Sequence, residues 1–333
     1  MNTELLNLCE KFIENRDAVK TAFSFESSYM YPVCASIFIG SGNVADVEAL
    51  KKYHLLLKEK VGVFSNFRGI SRPVTVSIIA ADNDPQKRLD RAIEAHTSLK
   101  KHFFSGNYLP LAAIILAGKP DDTSFDDIAV KTREIYDLMR KEHPFLTSEE
   151  DIVYAMLFTL AGHRAQDSII EMERIYKLLK KKFASANAVQ ALSHVLALGD
   201  GRSEEKCEKT LSLFDTLKEN KLRYGTNYEL ATLGVLAMLP ATESNIVSDM
   251  LAVNEFLMSQ KGYSTFFGFS KQTRLMHAAL IVSAYHLGKT ENGVIGAATV
   301  SAQMAVAAQQ TAIIAAQNAA LCATIAANTA NHS

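Results

Sequence analysis

The stretch from Arg72 to Lys101, RPVTVSIIAADNDPQKRLDRAIEAHTSLKK, decides the fold of this 333-residue chain. It opens with a short apolar run, passes through the turn-forming DNDP and ends in a longer segment that mixes apolar and charged residues. A short apolar run can be a buried strand or a buried helix, because periodicity does not separate the two. The amphipathic partner that follows, and the Ala, Leu and Met content of similar stretches, favour helix. The stretch therefore predicts a helical hairpin with an apolar inner helix and an amphipathic outer helix.

The same pattern recurs about every 40 residues along the chain. Acidic residues stand near the start of each outer segment and Lys or Arg near its end, in the order that complements a helix dipole. A hairpin of this kind cannot bury both of its faces alone, so neighbouring hairpins stack. We therefore predict an all-α fold, a helical-hairpin repeat array of about six units that forms either an open α/α superhelix or a closed ring. The outer segments are marked at intervals of 42, 40, 40, 38 and 41 residues by Leu57, Leu99, Met139, Leu179, Leu217 and Met258, and we predict that these six side chains are buried at equivalent places.

This pattern divides the chain into three parts. Residues 1–30 are predicted to be an N-terminal helical cap, and residues 31–290 the helical-repeat array. Residues 291–333 are predicted to form a long, Ala-rich helix, because alanine has the highest helix propensity. This last segment contains no Asp, Glu, Lys or Arg from Asn292 onward.

The Ala-rich segment carries a heptad pattern from Ala297 to Asn331. Apolar residues on the first and fourth positions of a heptad form the seam of a coiled coil, and an occasional polar residue sets its register. We therefore predict that this helix drives self-association or docks on its own array. A membrane span is less favoured, because glutamines interrupt the segment and no Lys or Arg cluster flanks it. The candidate association residues are Val300, Met304, Ile314, Asn318, Leu321 and Ile325.

Three apolar segments carry a resemblance to a known family. RPVTVSIIAA, YLPLAAIILAG and DIVYAMLFTLAG, together with the Ala-rich tail, resemble an uncharacterised family of bacterial cytoplasmic proteins catalogued as a domain of unknown function. The resemblance covers most of the chain. It implies a bacterial, all-helical, non-secreted protein, and it assigns no catalytic residue.

The charge balance limits the possible partners, and the cysteines indicate the compartment. Lys and Arg number 35 against 36 Asp and Glu, a formal net charge of −1, so the whole chain offers no electrostatic argument for nucleic acid. Four widely separated cysteines without metal-ligand spacing are typical of a reducing cytoplasm. Acidic residues interrupt the first thirty positions, so no secretory signal is predicted. We expect a cytoplasmic protein whose partner is another protein or a second copy of itself.

Residues that could carry chemistry are few. The stretch DDTSFDD, Asp121 to Asp127, is similar to the aspartate-rich metal clusters of some all-helical enzymes, but helix capping and dipole complementarity also explain it. His54 and His96 stand where other copies have aromatic residues, which indicates packing. We therefore predict no metal, no cofactor and no catalytic residue.

A binding site, if present, is expected along the concave surface of the array or on the loops that follow the outer helices. Three functions stay open. The favoured one is a non-enzymatic scaffold or protein-interaction protein. The alternatives are an α/α-ring enzyme or small-molecule binder with a central cavity, and a membrane-associating or pore-forming protein that inserts its C-terminal helix. The candidate groove consists of the residues that open successive inner helices, Tyr31, Arg72, Tyr108, Asp151 and Tyr228.

Overall fold

Two kinds of α-helix alternate in the computed structural model of the protein, which describes residues 1–263 and 268–288. These residues contain fourteen α-helices, one short 3-10 helix and no β-strand, so the predicted all-α fold class is confirmed. The outer helices are α1 (Thr3–Ala22), α3 (Val47–Lys60), α5 (Pro85–Leu99), α7 (Phe125–Glu142), α9 (Ala165–Leu179), α11 (Ser203–Glu219) and α13 (Glu243–Met258). The inner helices are α2 (Met30–Ser41), α4 (Arg72–Ala80), α6 (Leu109–Leu116), α8 (Asp151–Leu160), α10 (Ala186–Leu198), α12 (Leu230–Ala237) and α14 (Lys271–Gly288).

Burial separates the two kinds of helix. Nearly every side chain of an inner helix is buried, as in α6, where only Ile115 of the eight residues is partly exposed. An outer helix buries one stripe and exposes the rest, as α7 does with Phe125, Ala129, Ile135 and Met139. A helix that is apolar all round must be enclosed by other helices, whereas an amphipathic helix covers a core with one face. The inner helices therefore form the core and the outer helices its wall.

The first and last helices meet, so the array closes on itself. Each inner helix packs on the next one in chain order, and α14 packs on both α1 and α2. Arg16 in α1 donates to the carbonyl oxygen of Lys261 at 3.1 Å and lies 5.8 Å from the ring centroid of Tyr263. Asn2 is hydrogen-bonded to the hydroxyl of Tyr285 in α14. The described helices therefore form a closed ring, one of the two arrangements that the sequence left open.

The marker residues of the outer helices are buried, with one exception. Leu57, Leu99, Leu179 and Leu217 are fully enclosed, and Met139 is nearly so. The prediction is wrong for Met258, which is 48% exposed, while its neighbour Leu257 is 0% exposed. Helix α13 buries a stripe that ends at Leu257, and Met258 lies about 100° further round the helix, as a period of 3.6 residues requires.

The Ala-rich segment lies outside the described residues, as do residues 264–267. The prediction of a charge-free association helix over 291–333, with Val300, Met304, Ile314, Asn318, Leu321 and Ile325 on its seam, therefore stays a prediction. The residues predicted as an N-terminal cap form α1 and the loop that follows it. Helix α1 packs on α2 and α3 as an outer helix of the ring.

Candidate docking face

The ring has two ends, which differ in the segments that cross them. Each inner helix runs antiparallel to the outer helix before it, so the C-termini of all outer helices point to one end. We name that end the loop end. It consists of residues 23–29, 61–71, 100–108, 143–150, 180–185, 220–229 and 259–270, apart from 264–267. The other end, the turn end, consists of residues 42–46, 81–84, 117–124, 161–164, 199–202 and 238–242.

A buried anchor residue fixes the start of most segments of the loop end. Its backbone N–H donates to the carbonyl oxygen four residues back, which closes the last turn of the outer helix. Its side chain turns inward and is at most 9% exposed. These anchors fix the backbone from which the rest of each segment projects. They are Phe23, Val61, Phe103 and Phe183, bonded to Val19, Leu57, Leu99 and Leu179 at 2.9, 3.1, 2.9 and 3.1 Å.

Each of the first four segments exposes a phenylalanine. The four side chains, which we name the tips, are Phe25, Phe64, Phe104 and Phe145, and they are 102%, 100%, 94% and 97% exposed. The tips are not among the predicted site residues, because the repeat pattern describes the helices and not the loops. Their regular spacing of 39, 40 and 41 residues is nevertheless visible in the sequence.

Cations crowd the loop end. Outer helices end in Lys or Arg, which suits the negative end of the helix dipole. Several of these side chains are exposed and form no ion pair with a carboxylate of residues 1–263 or 268–288. Four of the nine, Lys181, Lys218, Lys221 and Arg223, lie at or just after the ends of α9 and α11, beyond the last tip. The unpaired, exposed cations are Lys20, Lys100, Arg140, Lys141, Lys181, Lys218, Lys221, Arg223 and Lys261.

The turn end carries the opposite charge, and its carboxylates are mostly engaged. Asp46 and Asp84 accept backbone N–H groups of α3 and α5 as N-caps. Others pair with neighbouring helices, as Glu204 does with Arg174 at 2.9 Å. Most acids of the turn end are therefore engaged within the ring.

The predicted groove residues all lie at the loop end, at or near the first residue of an inner helix. Tyr31 and Asp151 are each 5% exposed, as is Tyr108. The hydroxyl of Tyr31 donates to the carbonyl oxygens of Phe23 and Glu26, at 2.9 and 2.8 Å. Their packing supports the loops from below, and their role in binding stays a prediction.

The other two groove residues form polar contacts with neighbouring segments. Arg72 is ion-paired with Glu26 of the first loop. The hydroxyl of Tyr228 lies 3.5 Å from Oγ1 of Thr273 in α14. Each contact joins a segment of the loop end to a neighbour in the ring.

A buried polar cluster lies beneath the fourth segment, between α8 and α10. Asp151 accepts the backbone N–H of Ser148 at 2.8 Å, and its other oxygen is 3.3 Å from Nδ1 of His194, within ion-pair range but without hydrogen-bond alignment. The ring of Tyr154 packs on His194 at 5.0 Å between centroids. Burial raises the pKa of Tyr154, and the charge of Asp151 adds to the effect. The Tyr154 hydroxyl has no hydrogen-bond partner among the described residues.

Two histidines pack against buried phenylalanines of the loop end. The ring of His54 lies 5.5 Å from that of Phe23, and His96 lies 4.9 Å from Phe67. Burial lowers the pKa of both histidines to about 4, with a smaller effect from nearby lysines. Both side chains are therefore neutral at physiological pH and pack as aromatic residues, in agreement with their position in the sequence pattern.

The aspartate-rich stretch of the turn end is engaged in ion pairs. Asp121 pairs with Lys87 at 2.7 Å and Asp126 with Lys101 at 2.8 Å. The cap of α7 is Ser124, whose hydroxyl accepts the N–H of Asp127 at 3.3 Å, so the capping role predicted for the aspartates belongs to this serine. Within the described ranges, no three His, Cys, Asp or Glu side chains are grouped to hold a metal ion.

Comparison with known proteins identifies the family. Residues 15–319 match the family described as "Protein of unknown function (DUF4003)". The chain belongs to this family. The uncharacterised-family resemblance in the sequence is thereby confirmed.

The DUF4003 match spans the whole ring after the first turns of α1 and extends into the Ala-rich segment. The chain is similar to "Uncharacterized protein YeaA" of Bacillus subtilis (strain 168), with 23% identity over 311 residues. The alignment covers 89% of this chain and 91% of that protein. No solved structure matches. None of the helices in the described part of this DUF4003 member combines the length and apolar character needed to cross a bilayer.

Proposed function

We propose that this DUF4003 member is a non-enzymatic binding protein, a ring of helical hairpins that docks through its loop end. The observation that carries the proposal is the exposure of Phe25, Phe64, Phe104 and Phe145, which are at least 94% exposed. Large apolar side chains grouped on one surface mark sites of interaction. Four of them at equivalent places in consecutive loops are a repeated feature of one surface.

The tips add nothing evident to the stability of the fold. Phe103 packs edge-on against Tyr136, with 5.7 Å between ring centroids, while its neighbour Phe104 points to solvent. The loop is therefore held by the anchor and not by the tip. An exposed phenylalanine keeps unfavourable contact with water that burial against a partner would remove.

The C-terminal segment is the second part of the proposal. Its heptads, with Val300, Met304, Ile314 and Leu321 on the seam, support self-association of the chain or docking of the segment on its own ring. A seam of this kind needs a covering surface, because its apolar stripe would otherwise face water.

The cytoplasm is the proposed compartment. Cys9, Cys34 and Cys207 are free and buried. Burial raises the pKa of Cys9 and Cys34 to about 12 and that of Cys207 to about 11, so the nucleophilic thiolate is strongly disfavoured at neutral pH. Unpaired thiols of this kind suit a reducing environment.

Docking through the loop end can be tested without knowing the partner. A photoreactive phenylalanine analogue is placed in the full chain at position 64 or 104, or at the control position 130 on the outer wall, where Val130 is also exposed. Irradiation in living cells should give adducts, with protein or lipid, from positions 64 and 104 well above those from 130. Equal adduct yields at all three positions would contradict a docking role for the loop end.

The role of the C-terminal segment is tested by mass in solution. The full chain with Ile314→Asp and Leu321→Asp places two charges in the predicted seam, where desolvation disfavours them. The control, Gln309→Asp with Ala323→Asp, adds the same charges on the opposite side of the heptad. We expect the seam variant to lose oligomer mass, or to keep its mass and melt at a lower temperature if the segment docks on its own ring. Identical mass and melting for all three proteins would show that the segment does neither.

A further inference from the structure

The tips and the unpaired cations share one end of the ring. The tips stand on the first four segments in ring order, and three of the unpaired cations, Lys181, Lys221 and Arg223, stand on the next two, which carry no tip. Lys100, Arg140 and Lys141 stand close in sequence to the tips Phe104 and Phe145. An apolar sector and a basic sector therefore lie side by side on one surface.

The turn end shows what the same fold looks like without these features. Most of its carboxylates cap helices or pair with neighbouring helices, as Glu204 does with Arg174. None of the large apolar side chains that are at least 90% exposed in the described residues belongs to it. The ring fold therefore does not by itself require the tips and the unpaired cations of the loop end.

The distribution of the tips argues against a protein partner. Binding energy at a protein interface is concentrated in a central, well-packed cluster that fits a pocket on the partner. Here the four phenylalanines stand on four separate loops, and three of them are followed directly by a polar residue, as Phe64 is by Ser65 and Phe104 by Ser105. A fluid surface can receive each tip independently, without a matching pocket.

A bilayer surface of negative charge can bind both the apolar sector and the basic sector. Aromatic and other apolar side chains insert at the boundary between head groups and acyl chains, and Lys and Arg are attracted to anionic head groups. Long lysine side chains also extend their charge toward the head groups while their methylene stems stay in the apolar layer. This mode of binding lays the protein on the membrane and needs no crossing helix.

We propose that the loop end is a membrane-docking surface, in which Phe25, Phe64, Phe104 and Phe145 insert into an anionic bilayer and the neighbouring lysines and arginines bind its head groups. This inference rests on the proposed docking function of the loop end and names its partner. The acidic turn end then faces away from the membrane. The ring therefore has a fixed orientation on the bilayer.

The sequence offers a direct probe, because it contains no tryptophan. The full-length variant Phe104→Trp carries a single indole at a tip, and Val130→Trp carries it on the outer wall as a control. Both are titrated with vesicles of phosphatidylcholine alone and with vesicles that also contain phosphatidylglycerol. We expect the emission of Phe104→Trp to shift to the blue with the anionic vesicles only, and that of Val130→Trp to stay unchanged. A Phe104→Trp emission that no vesicle shifts would overturn the proposal.

Sedimentation with the anionic vesicles measures the contribution of the tips. Replacing Phe64 and Phe104 together with Ser should lower the partition coefficient by about tenfold or more, since two large apolar side chains no longer insert. The control Val130→Ser with Ile170→Ser removes two exposed apolar side chains from the outer wall and should bind like the wild type. Sodium chloride should weaken binding of all the proteins, because it screens the attraction of the cations. Equal binding by tip and wall variants would contradict membrane docking through the tips.

Two further outcomes separate this inference from the proposed function. If the seam variant Ile314→Asp with Leu321→Asp loses vesicle binding while the tip variant keeps it, the C-terminal segment is the lipid-binding element and the membrane proposal for the loop end is wrong. If no vesicle binds, but the tip variant loses oligomer mass in solution, the loop end docks on a second copy of the chain. That result would overturn the membrane proposal and leave the docking function intact.

Discussion

The two ends of the ring are built from the same helices and differ in what their connections do. A turn-end segment is four to eight residues long, while a loop-end segment is six to twelve. The turn end uses its polar side chains to start helices, as Asp46 does for α3 at 2.6 Å from the N–H of Ala49. The loop end buries one anchor and exposes many of the residues after it. The connections of the turn end serve the fold, whereas those of the loop end also carry exposed side chains that the fold does not need.

The charges of the two ends also differ, although the helix dipole acts on both ends in the same way. Acids at the start of a helix and bases at its end each interact favourably with the helix dipole. The dipole therefore explains the sign of the charge at each end. Glu204 at the turn end has a partner in the ring, Arg174, whereas Lys181 and Lys221 at the loop end have no described carboxylate partner. On our proposal, their partner is a ligand outside the ring.

The largest predicted effect separates an anchor from a tip at adjacent positions. Phe103 is 5% exposed and packs on Tyr136, whereas Phe104 is 94% exposed. We expect Phe103→Ala to lower the free energy of unfolding by about 3–5 kcal/mol, the usual range for a buried phenylalanine. Phe104→Ala should change it by no more than about 0.5 kcal/mol. Urea unfolding followed by circular dichroism measures both, and a comparable loss for both variants would show that the tips are structural.

The second prediction concerns pH, since histidines lie beneath the loop end. Burial lowers the pKa of His96 to about 4, whereas the unfolded chain takes up this proton near the ordinary value of about 6.5. The contribution of neutral His96 is therefore complete above pH 6.5. As the pH falls from 6.5 toward 4, the free energy of unfolding should decrease by about 1.4 kcal/mol per pH unit from this group.

His96→Gln removes the titrating group. The slope of the free energy of unfolding against pH should therefore become smaller by the contribution of one proton. The exposed Thr97, on the same helix, provides the control, because Thr97→Gln changes no titrating group and should leave the slope as in the wild type. Unfolding by urea at pH 7, 6 and 5 gives the three slopes. An unchanged slope in His96→Gln would show that this histidine is not held neutral by the fold.

The sequence predicted the helices better than the surface between them. Recurrent apolar and amphipathic segments determine where helices lie, and the spacing of Leu57, Leu99, Leu179 and Leu217 located the buried stripe of four outer helices. Ring closure was not predictable in this way, because it depends on contacts such as that between Arg16 and Lys261, which are 245 residues apart. Met258 was misplaced by one residue, since an apolar pair at the end of a helix does not indicate which member faces the core.

The candidate site was only partly accessible from the sequence. The residues that open the inner helices lie at one end of the ring, and their role as a groove stays a prediction. Their burial, including 5% exposure for Tyr31, Tyr108 and Asp151, depends on neighbouring loops whose paths no periodicity determines. The tips are recognisable in the sequence by their spacing, but a phenylalanine in a loop can be an anchor or a tip, and only the structure distinguishes Phe103 from Phe104.

The third prediction compares a serine at each end. Ser124 caps α7 at the turn end by accepting the N–H of Asp127, and Ser124→Ala should lower the free energy of unfolding by about 1 kcal/mol. Ser71 precedes α4 at the loop end, where it is 0% exposed and its hydroxyl has no hydrogen-bond partner among the described residues. Ser71→Ala removes an unsatisfied buried hydroxyl and should be neutral or slightly stabilising. Thermal unfolding of both variants tests the comparison, and an equal loss would show that Ser71 also acts as a cap.

The smallest predicted effect is on the cations of the loop end. Lys182 pairs with Asp215 at 3.0 Å, with both side chains more than 40% exposed, and Lys181 has no ion pair among the described residues. Exposed ion pairs contribute about 0–1 kcal/mol, and isolated surface charges contribute less. Lys181→Gln should therefore leave the free energy of unfolding within about 0.5 kcal/mol of the wild type, at low and at high salt.

A larger loss at low salt would show that Lys181 stabilises the ring itself, through the dipole of α9. The basic sector would then have a structural origin, as the acids of the turn end have. With the expected result, the charges of the two ends have different roles. Removing a charge from the turn end breaks a helix cap or an ion pair, whereas removing Lys181 leaves the free protein unchanged and weakens only the complex with the surface that the loop end binds.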